Sequence, residues 1–422
     1  MAFDINKHPC FNGDVCGQFG RVHLPVAAEC NVQCNFCDRK FDCVNESRPG
    51  VTSQVLSPGQ ALYYLDKVMA NDKRITVVGI AGPGDPFATP GETLQTLSLV
   101  RKKYPEILFC VASNGLNIAS YIEDLAALKV SHVSITISAV DPAIGEKIYA
   151  WVRDDKRVLR TQKGAEIILE RQLGAVGDLK AAGITVKVNT IIIPGINDGH
   201  ITQVAKTVAE LGADIQNCIA LYPVAGTVLG DTQPPSAELL SQIRTEASRY
   251  IRQMYHCSRC RADAVGLLSE TISDGSLDCL KNAAAQPLEP CENRPCVAVA
   301  SREGVLVNQH LGEADRLMVF RWEDGKSEFV EDRKTPPRGG GDSRWLGLAE
   351  VLKDCRAVLV SGAGRSPRTV LKQEGIKTIL AEGPVEENLE AVYQGRQIHS
   401  PAKCTQCSCQ CDQDGGGGGG CG

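Results

Sequence analysis

Glu29-Cys30-Asn31-Val32-Gln33-Cys34-Asn35-Phe36-Cys37 decides the reading of this chain, because it sets three cysteines at the spacing C-x3-C-x2-C. Thiolates are soft ligands, and cysteine sets of this kind suit iron–sulfur clusters or zinc. Three protein ligands on a four-iron cube leave one iron free to bind something else. A structural site closes its coordination sphere, so an open iron points to chemistry. An incomplete structural zinc or ferredoxin site would show the same three cysteines, so the neighbouring sequence has to separate the two readings.

Immediately upstream, the apolar run Val22 to Ala27 reads as a strand that feeds directly into the cysteine loop. Downstream, β-rich runs recur at Ile75–Ala81, Ile107–Ser113, His132–Ser138, Thr185–Ile193 and Ile215–Tyr222. Between them lie segments of helical periodicity at Gly59–Ala70, Glu92–Tyr104, Ala119–Lys129, Ala165–Ala182, Ile201–Leu211 and Ala237–Tyr255. Pro58, Pro90 and Pro234-Pro235 stand just ahead of helices, where proline is tolerated. Strands rich in Val and Ile, each followed by a helix, argue for parallel pairing with right-handed crossovers. Six such units fall short of the eight of a complete TIM barrel, so an α/β fold with a partial, open (β/α)6 barrel is expected. Ligands in such folds sit at the C-terminal ends of the strands, and the Cys30 loop follows the first one.

Length and composition bound the rest. A chain of 422 residues exceeds one ordinary core and suggests about two or three domains. Hydrophobic content of 43% and charged content of 23% are those of a globular protein. A net charge of −5 leaves no basic footprint for nucleic acid. No apolar run approaches the ~18 residues needed to span a bilayer. The start, Met1-Ala2-Phe3-Asp4-Ile5-Asn6-Lys7, lacks the apolar core of a secretion signal. A cytoplasmic protein with no membrane and no nucleic-acid partner is the expectation. In a reducing compartment, 19 cysteines argue for metal rather than disulfides, and for more clusters than the first loop needs.

Other residues carry chemistry by position. Gly79-Ile80-Ala81-Gly82-Pro83-Gly84-Asp85-Pro86 closes the second strand, where glycines let backbone approach a ligand. A plain turn accounts for the same residues. Ser113-Asn114-Gly115 closes the third strand, Thr136 and Ser138 lie on the fourth, and Asn189 lies on the fifth. Polar groups on apolar strands must find hydrogen bonds, either from local capping or from a shared ligand. Beyond Cys257, the alternation stops. A second α/β unit starts near Arg294, with strands at Val297–Ser301, Leu317–Trp322, Ala357–Val360 and Lys377–Ala381, and helices at Trp345–Lys353, Arg368–Glu374 and Glu386–Tyr393. After Ser400 come Cys404, Cys407, Cys409, Cys411, a glycine run and Cys421, which cannot bury a core.

Together these motifs resemble the radical S-adenosylmethionine (SAM) superfamily, whose open iron chelates the amino acid end of SAM. More specifically, the chain resembles the NifB family of nitrogenase cofactor biosynthesis proteins across residues 8–270. The likeness rests on His8-Pro9-Cys10-Phe11, Arg21-Val22-His23, Cys30 to Cys37, Asp38 through Asn45-Glu46-Ser47-Arg48-Pro49-Gly50, and Gly82-Pro83-Gly84-Asp85-Pro86. It continues through Ser113-Asn114-Gly115, Lys147-Ile148-Tyr149, Leu169-Glu170-Arg171-Gln172, Val188-Asn189, Ile193 to Asp198, and Cys257-Ser258-Arg259-Cys260. The second unit resembles the NifX-type cofactor-binding domain, an RNase H-like fold, through Val297 to Ser301, Asn308-Gln309-His310-Leu311-Gly312 and Phe320.

The resemblance implies a division into residues 1–270 (a barrel with three cluster sites), 271–293 (a linker), 294–399 (the NifX-like domain) and 400–422 (a flexible tail). It implies a SAM-dependent radical enzyme, of lyase or transferase type. Such an enzyme fuses two [4Fe-4S] clusters with a SAM-derived carbide and an added sulfide into the [8Fe-9S-C] precursor of the nitrogenase cofactor. Cys30, Cys34 and Cys37 would hold the SAM-binding [4Fe-4S] cluster. Gly82, Gly84, Asp85, Ser113, Asn114, Thr136, Ser138 and Asn189 would hold SAM. Cys110, Cys257 and Cys260 would hold one substrate cluster and Cys10, Cys16 and Cys43 the other. Cys16 stands where many members carry His, which leaves His8 and His23 as alternatives for that ligand. Glu46 matches a glutamate near the clusters, a transient ligand or proton acceptor. Implied partners are a cluster donor, cofactor carrier and maturation proteins of nitrogenase, and a reductant protein. A different multi-cluster radical SAM enzyme or a non-catalytic iron–sulfur scaffold is the alternative.

Overall fold

The structure is a computed structural model that describes residues 4–43, 53–155, 157–257, 262–268, 270, 274–284, 294–323, 325–394 and 398. Glu46, Cys260 and the Cys404–Cys421 tail therefore lie outside the described residues. The chain divides into two units, Met1–Glu289 and Pro290–Gly422.

In the first unit the strands are β1 (Gly20–His23), β2 (Val32–Cys34), β3 (Ile75–Ile80), β4 (Leu108–Ser113), β5 (His132–Thr136), β6 (Tyr149–Asp154), β7 (Arg157–Leu159), β8 (Thr185–Ile192), β9 (Ile215–Ala220) and β10 (Val265–Gly266). The helices are α1 (Pro58–Asn71), α2 (Pro90–Lys103), α3 (Ile122–Ala127), α4 (Pro142–Ile148), α5 (Thr161–Ala181), α6 (Ile201–Glu210), α7 (Ala237–Ala247) and α8 (Asp274–Ala284). The main sheet has the order β10-β1-β3-β4-β5-β8-β9. From β1 to β9 every pairing is parallel, and β10 adds antiparallel to β1. The sheet curls into an open half-barrel, as the six-unit reading expects.

Side chains alternate across a strand, and the alternation separates two surfaces. Phe109, Val111, Val133, Ile135, Val186 and Val188 point outward into the core against the helices. Cys110, Ala112, Ser134, Thr136, Lys187, Asn189 and Asn217 occupy the opposite face of the same strands, the inner face of the half-barrel. Thr136 and Asn189, two of the polar residues noted on apolar strands, thus belong to the inner face.

Three departures from the expected elements have physical causes. First, α7 stops at Ala247, well short of Tyr255. Residues 251–254 instead run beside the edge strand β9, where Gln216 N–H donates to Arg252 O and Met254 N–H to Gln216 O. Edge backbone groups need partners, and that demand outweighs helix continuation. Second, residues 274–284, expected as linker, form α8. Leu280 and Ala283 are buried against the barrel core, and Ala284 O accepts from Gln60 Nε2 on α1 at 3.0 Å. Third, a small antiparallel sheet of order β2-β6-β7 holds the cysteine loop itself. Its strands are too short to register as a pattern.

The second unit is an RNase H-like sheet of order β13-β12-β11-β14-β15. Its strands are β11 (Cys296–Val299), β12 (Arg316–Glu323), β13 (Lys326–Lys334), β14 (Cys355–Val360) and β15 (Lys377–Leu380). Helices α9 (Asp342–Val351) and α10 (Arg365–Gln373) cover one face and α11 (Val385–Gln394) the other. The edge strand β13 has no counterpart in the sequence reading. Of its nine residues, Lys326 to Lys334, seven are exposed and six are charged, so no apolar alternation marks it. Among the described residues, no helix is long and apolar enough to cross a membrane.

The packing of α8 can be tested. Leu280→Ala is expected to destabilise the chain by about 2–5 kcal/mol, the cost of emptying a buried leucine site. A denaturant midpoint unchanged from the parent would show that α8 is an uncoupled linker segment.

Candidate functional site

The loop that carries Cys30, Cys34 and Cys37 has little core of its own, so neighbouring backbone fixes it. On one side β2 pairs with β6, with Gln33 opposite Trp151 and Cys34 opposite Tyr149. Asn35 N–H donates to Ile148 O at 2.8 Å and Arg153 N–H to Asn31 O at 2.9 Å. On the other side the Gly82–Pro86 segment lies against residues 27–29. Gly84 N–H donates to Ala27 O at 2.5 Å and Asp85 N–H to Glu29 O at 2.7 Å. A Cβ on Gly84 would sit 2.0 Å from Glu29 O. The glycine expected to admit SAM is thus required by the backbone of the cysteine loop. Gly82 has φ +124, a conformation that side chains rarely adopt.

Cys30, Cys34 and Cys37 line one cavity together with Arg39, Cys43, Gly84, Asp85, Ala112, Ser113, Asn114 and Thr136. Burial pushes the Cys30 thiol up to about 11, and the nearby Asp85 charge adds to it. Burial likewise raises Cys34 well above, and Cys37 above, the ordinary thiol value. Such thiols ionise when a metal displaces the proton. Arg39, hydrogen-bonded to Cys37 and close to Cys30 and Cys43, supplies compensating positive charge. Among the described residues, no three His, Cys, Asp or Glu groups converge on a single ion. A cube binds each thiolate to a different iron, so this donor set suits a [4Fe-4S] cluster better than one metal ion.

Asp85 is 3% exposed, and protein donors saturate it. It accepts from Asn114 N–H at 2.6 Å, Phe87 N–H at 2.9 Å and Ser113 Oγ at 3.0 Å. Burial raises its pKa while these bonds oppose the rise. The carboxylate therefore ties the end of β4 to the glycine segment. Asn114 Nδ2 donates to Asn31 Oδ1 at 2.7 Å and approaches Cys30 Sγ at 3.8 Å. Gly82, Ser138 and Asn189 do not line this cavity. Ser138 Oγ accepts from Ile191 N–H at 3.1 Å, and its carbonyl accepts from Asn197 Nδ2 at 2.8 Å, so it serves strand pairing. Asn189 Oδ1 accepts from Asn217 Nδ2 at 3.1 Å.

A second cavity opens on the other side of Ala112, which lines both. It encloses about 660 Å³ including its open mouth, within the range of ligand sites. Cys10, Cys110 and Cys257 line it, with His8, Arg21, His23, Lys187 and Asn217. This differs from the expected sets, which joined Cys10 to Cys16 and Cys43. Cys43 lies with the Cys30 group, and Cys16 lines neither cavity. The cause is the anchoring of the His8–Phe11 segment. His8, Phe11 and His132 pack ring against ring at 4.4–4.7 Å. Phe11 O accepts from Arg252 Nη2 and Pro9 O meets His256 Nε2. Cys257 arrives through the 251–254 segment that pairs with β9. Cys218 faces outward and is fully buried among Ile192, Ile201 and Ile243.

Sequence reasoning assigned no role to Arg39 and Gln172, which it quoted only as motif residues, and did not single out Lys187 or Asn217. Gln172 is 1% exposed, and its Nε2 donates to Asn114 O at 2.9 Å and Thr136 O at 2.8 Å. It joins the ends of β4 and β5, and a buried glutamine amid the apolar positions of α5 is the signal that marks it.

Comparison with known proteins agrees with this geometry. Residues 24–208 match the radical SAM superfamily, and residues 293–395 match the dinitrogenase iron-molybdenum cofactor family. The chain is therefore a SAM-dependent radical enzyme, a class that uses a [4Fe-4S] cluster and SAM. FeMo cofactor biosynthesis protein NifB of Chlorobaculum tepidum is 53% identical over 408 residues, covering 96% of each chain. The namesake of Klebsiella pneumoniae is 37% identical, covering 95% of this chain and 93% of its own. That of Azotobacter vinelandii is 35% identical, covering 92% and 88%. The chain belongs to the NifB family of FeMo cofactor biosynthesis proteins.

The close approach at Gly84 yields a test. Gly84→Ala is expected to weaken iron binding at the Cys30 loop by about 10–100-fold, the size of effect that misplaced supporting groups produce. Gly91→Ala, with nothing near the added methyl, is the control. Equal iron retention by both variants against a chelator would refute the backbone constraint.

Proposed function

We propose that the chain fuses two [4Fe-4S] clusters, taken up as substrate, with a SAM-derived carbide and one added sulfide into the [8Fe-9S-C] precursor of the nitrogenase cofactor. The observation that supports this reading is the meeting of two thiol-lined cavities at Ala112. One suits the radical-generating cofactor and the other suits cargo.

When bound, the four-iron cluster and SAM supply one-electron cleavage chemistry and the carbon. The chain's own residues position and shield. Cys30, Cys34 and Cys37 hold three irons, and Arg39 offsets their charge. Gly84, Ser113, Asn114 and Thr136 form the wall that faces SAM, held in place by Asp85, with Gly82 shaping the turn before it. Ser138 and Asn189 support that wall from the strand ends. Cys10, Cys110 and Cys257 hold one substrate cluster. Cys43 and Cys16 supply ligands for the other, Cys260 stays with Cys257 as the resemblance implies, and Glu46 acts as transient ligand or proton acceptor. Val77, Ile80, Ala81 and Met254 give the cargo cavity apolar walls that exclude water from reactive species. The 294–399 domain receives the product on its way to a carrier of the nitrogenase maturation system. A cluster donor and a reductant protein complete the cycle. A cytoplasmic, reducing setting suits a chain that handles iron–sulfur clusters through cysteine thiolates.

Anaerobic reconstitution decides the matter. Before SAM is added, the chain is expected to hold about twelve irons, three cubes of four. Cys110→Ala/Cys257→Ala should lose about four of them and still cleave SAM. A parent chain that loads a single cube would reject the fusion role. Removal of residues 294–422 is expected to leave SAM cleavage intact, and loss of cleavage in a folded truncate would show that the C-terminal unit contributes to the SAM site.

A further inference from the structure

We infer that Asn217 is a positioning residue for the cargo cluster, through a hydrogen bond from its amide to the Cys257 sulfur. The inference rests on the reading of Cys257 as a cargo ligand and adds a residue that fixes and tunes it. Asn217 sits on the inner face of β9, is 1% exposed and lines the cavity that holds Cys10, Cys110 and Cys257. Its Nδ2 donates to Cys257 Sγ at 3.3 Å and to Asn189 Oδ1 at 3.1 Å. Asn189 lies directly opposite on β8, in register with Asn217.

The orientation of the amide follows from these partners. Asn189 offers an oxygen, which accepts only from the nitrogen end of Asn217. That leaves the second N–H on the same nitrogen aimed at sulfur. The cost falls on the other end. Asn217 Oδ1 is buried and has no partner among the described residues. A buried unpartnered carbonyl is unfavourable, and such exceptions in a folded chain call for a reason. Here the reason is the donor. A hydrogen bond to an ionised sulfur is roughly twice as strong as one to a neutral acceptor, and iron keeps its cysteine ligand ionised. The bond therefore strengthens when Cys257 takes iron. It also draws charge from the sulfur, and hydrogen bonds to ligand sulfurs set cluster potentials.

The test uses the full-length chain with Cys30, Cys34 and Cys37 replaced by Ala, so that only the cargo sites load. After anaerobic reconstitution, iron retention against a chelator and the midpoint potential from an EPR-monitored redox titration are measured. Asn217→Leu is expected to weaken iron retention by about 10-fold or more and to move the potential more negative. Asn217→Gln, which keeps an N–H donor, should recover part of both. Should the leucine variant not fold, Asn217→Asp carries the test, with the same direction of shift expected. A loaded leucine or aspartate variant with parental retention and potential would overturn the inference alone. A parent background that loads no cluster, with Cys257→Ala unchanged from it, would overturn the fusion reading and the inference with it.

Discussion

The two-sided backbone grip on the Cys30–Cys37 loop is the constraint on which the rest depends. Three thiols spaced for one cube have no mutual attraction before metal arrives, and burial of each disfavours its ionised form. Ordering such a loop costs about 1–2 kcal/mol of entropy per residue. The β2–β6 pairing and the Gly84 and Asp85 N–H groups supply the opposing hydrogen bonds. Neither side suffices alone, because each fixes a different stretch. β6 fixes Asn31 to Asn35, and the glycine segment fixes Ala27 to Glu29. Asp85 then carries the grip to β4 through Ser113 and Asn114. The geometry of the loop is thereby referred to the rigid sheet rather than to its own flexible backbone.

The face of β8 and β9 turned away from the cavities, which carries Thr190 and Gln216, extends the same logic. Polar groups on it are buried, and buried polar groups must be bonded. They are bonded largely to one another across strands. Thr190 Oγ1 donates to Ile137 O, Gln216 Nε2 to Thr190 Oγ1, and Gln253 Nε2 to Gln216 Oε1. This network locks the 251–254 segment to β9, and that segment delivers Cys257. A wholly apolar interior would bury more hydrophobic surface, but it would leave the last cysteine-bearing segment without a fixed register.

How much of this was legible depends on range in sequence. The cysteine loop, the strand–helix alternation and the polar positions on β4, β5 and β8 are local patterns, and they stand where the sequence put them. The grouping of cysteines is not local. Cys10 joins Cys110 because an aromatic trio of His8, Phe11 and His132 seats its segment, and nothing in residues 8–16 announces His132. The requirement for glycine at position 84 was visible, but its cause, the carbonyl of Glu29, was not. The helix at 274–284 escaped notice because it follows cysteine-rich irregular chain. The strand at 326–334 escaped because a solvated edge carries charge rather than alternation.

Charge in the two cavities separates their proposed tasks. Each gathers three or more thiols, and each places cations beside them: Arg39 in one, Arg21 and Lys187 in the other. Burying thiolates without such cations would be strongly unfavourable. The cavities differ in acid groups. The first contains Asp85, which is saturated by protein donors and so binds the wall together. Among the described residues, no carboxylate lines the second. A resident cofactor calls for a wall that does not move, which Asp85 secures. A cargo that arrives and leaves calls for a field that attracts it without closing its last coordination position. Three thiols with lysine and arginine behind them provide such a field. The polar inner face of a half-barrel, open at one end, lets both conditions hold within one sheet.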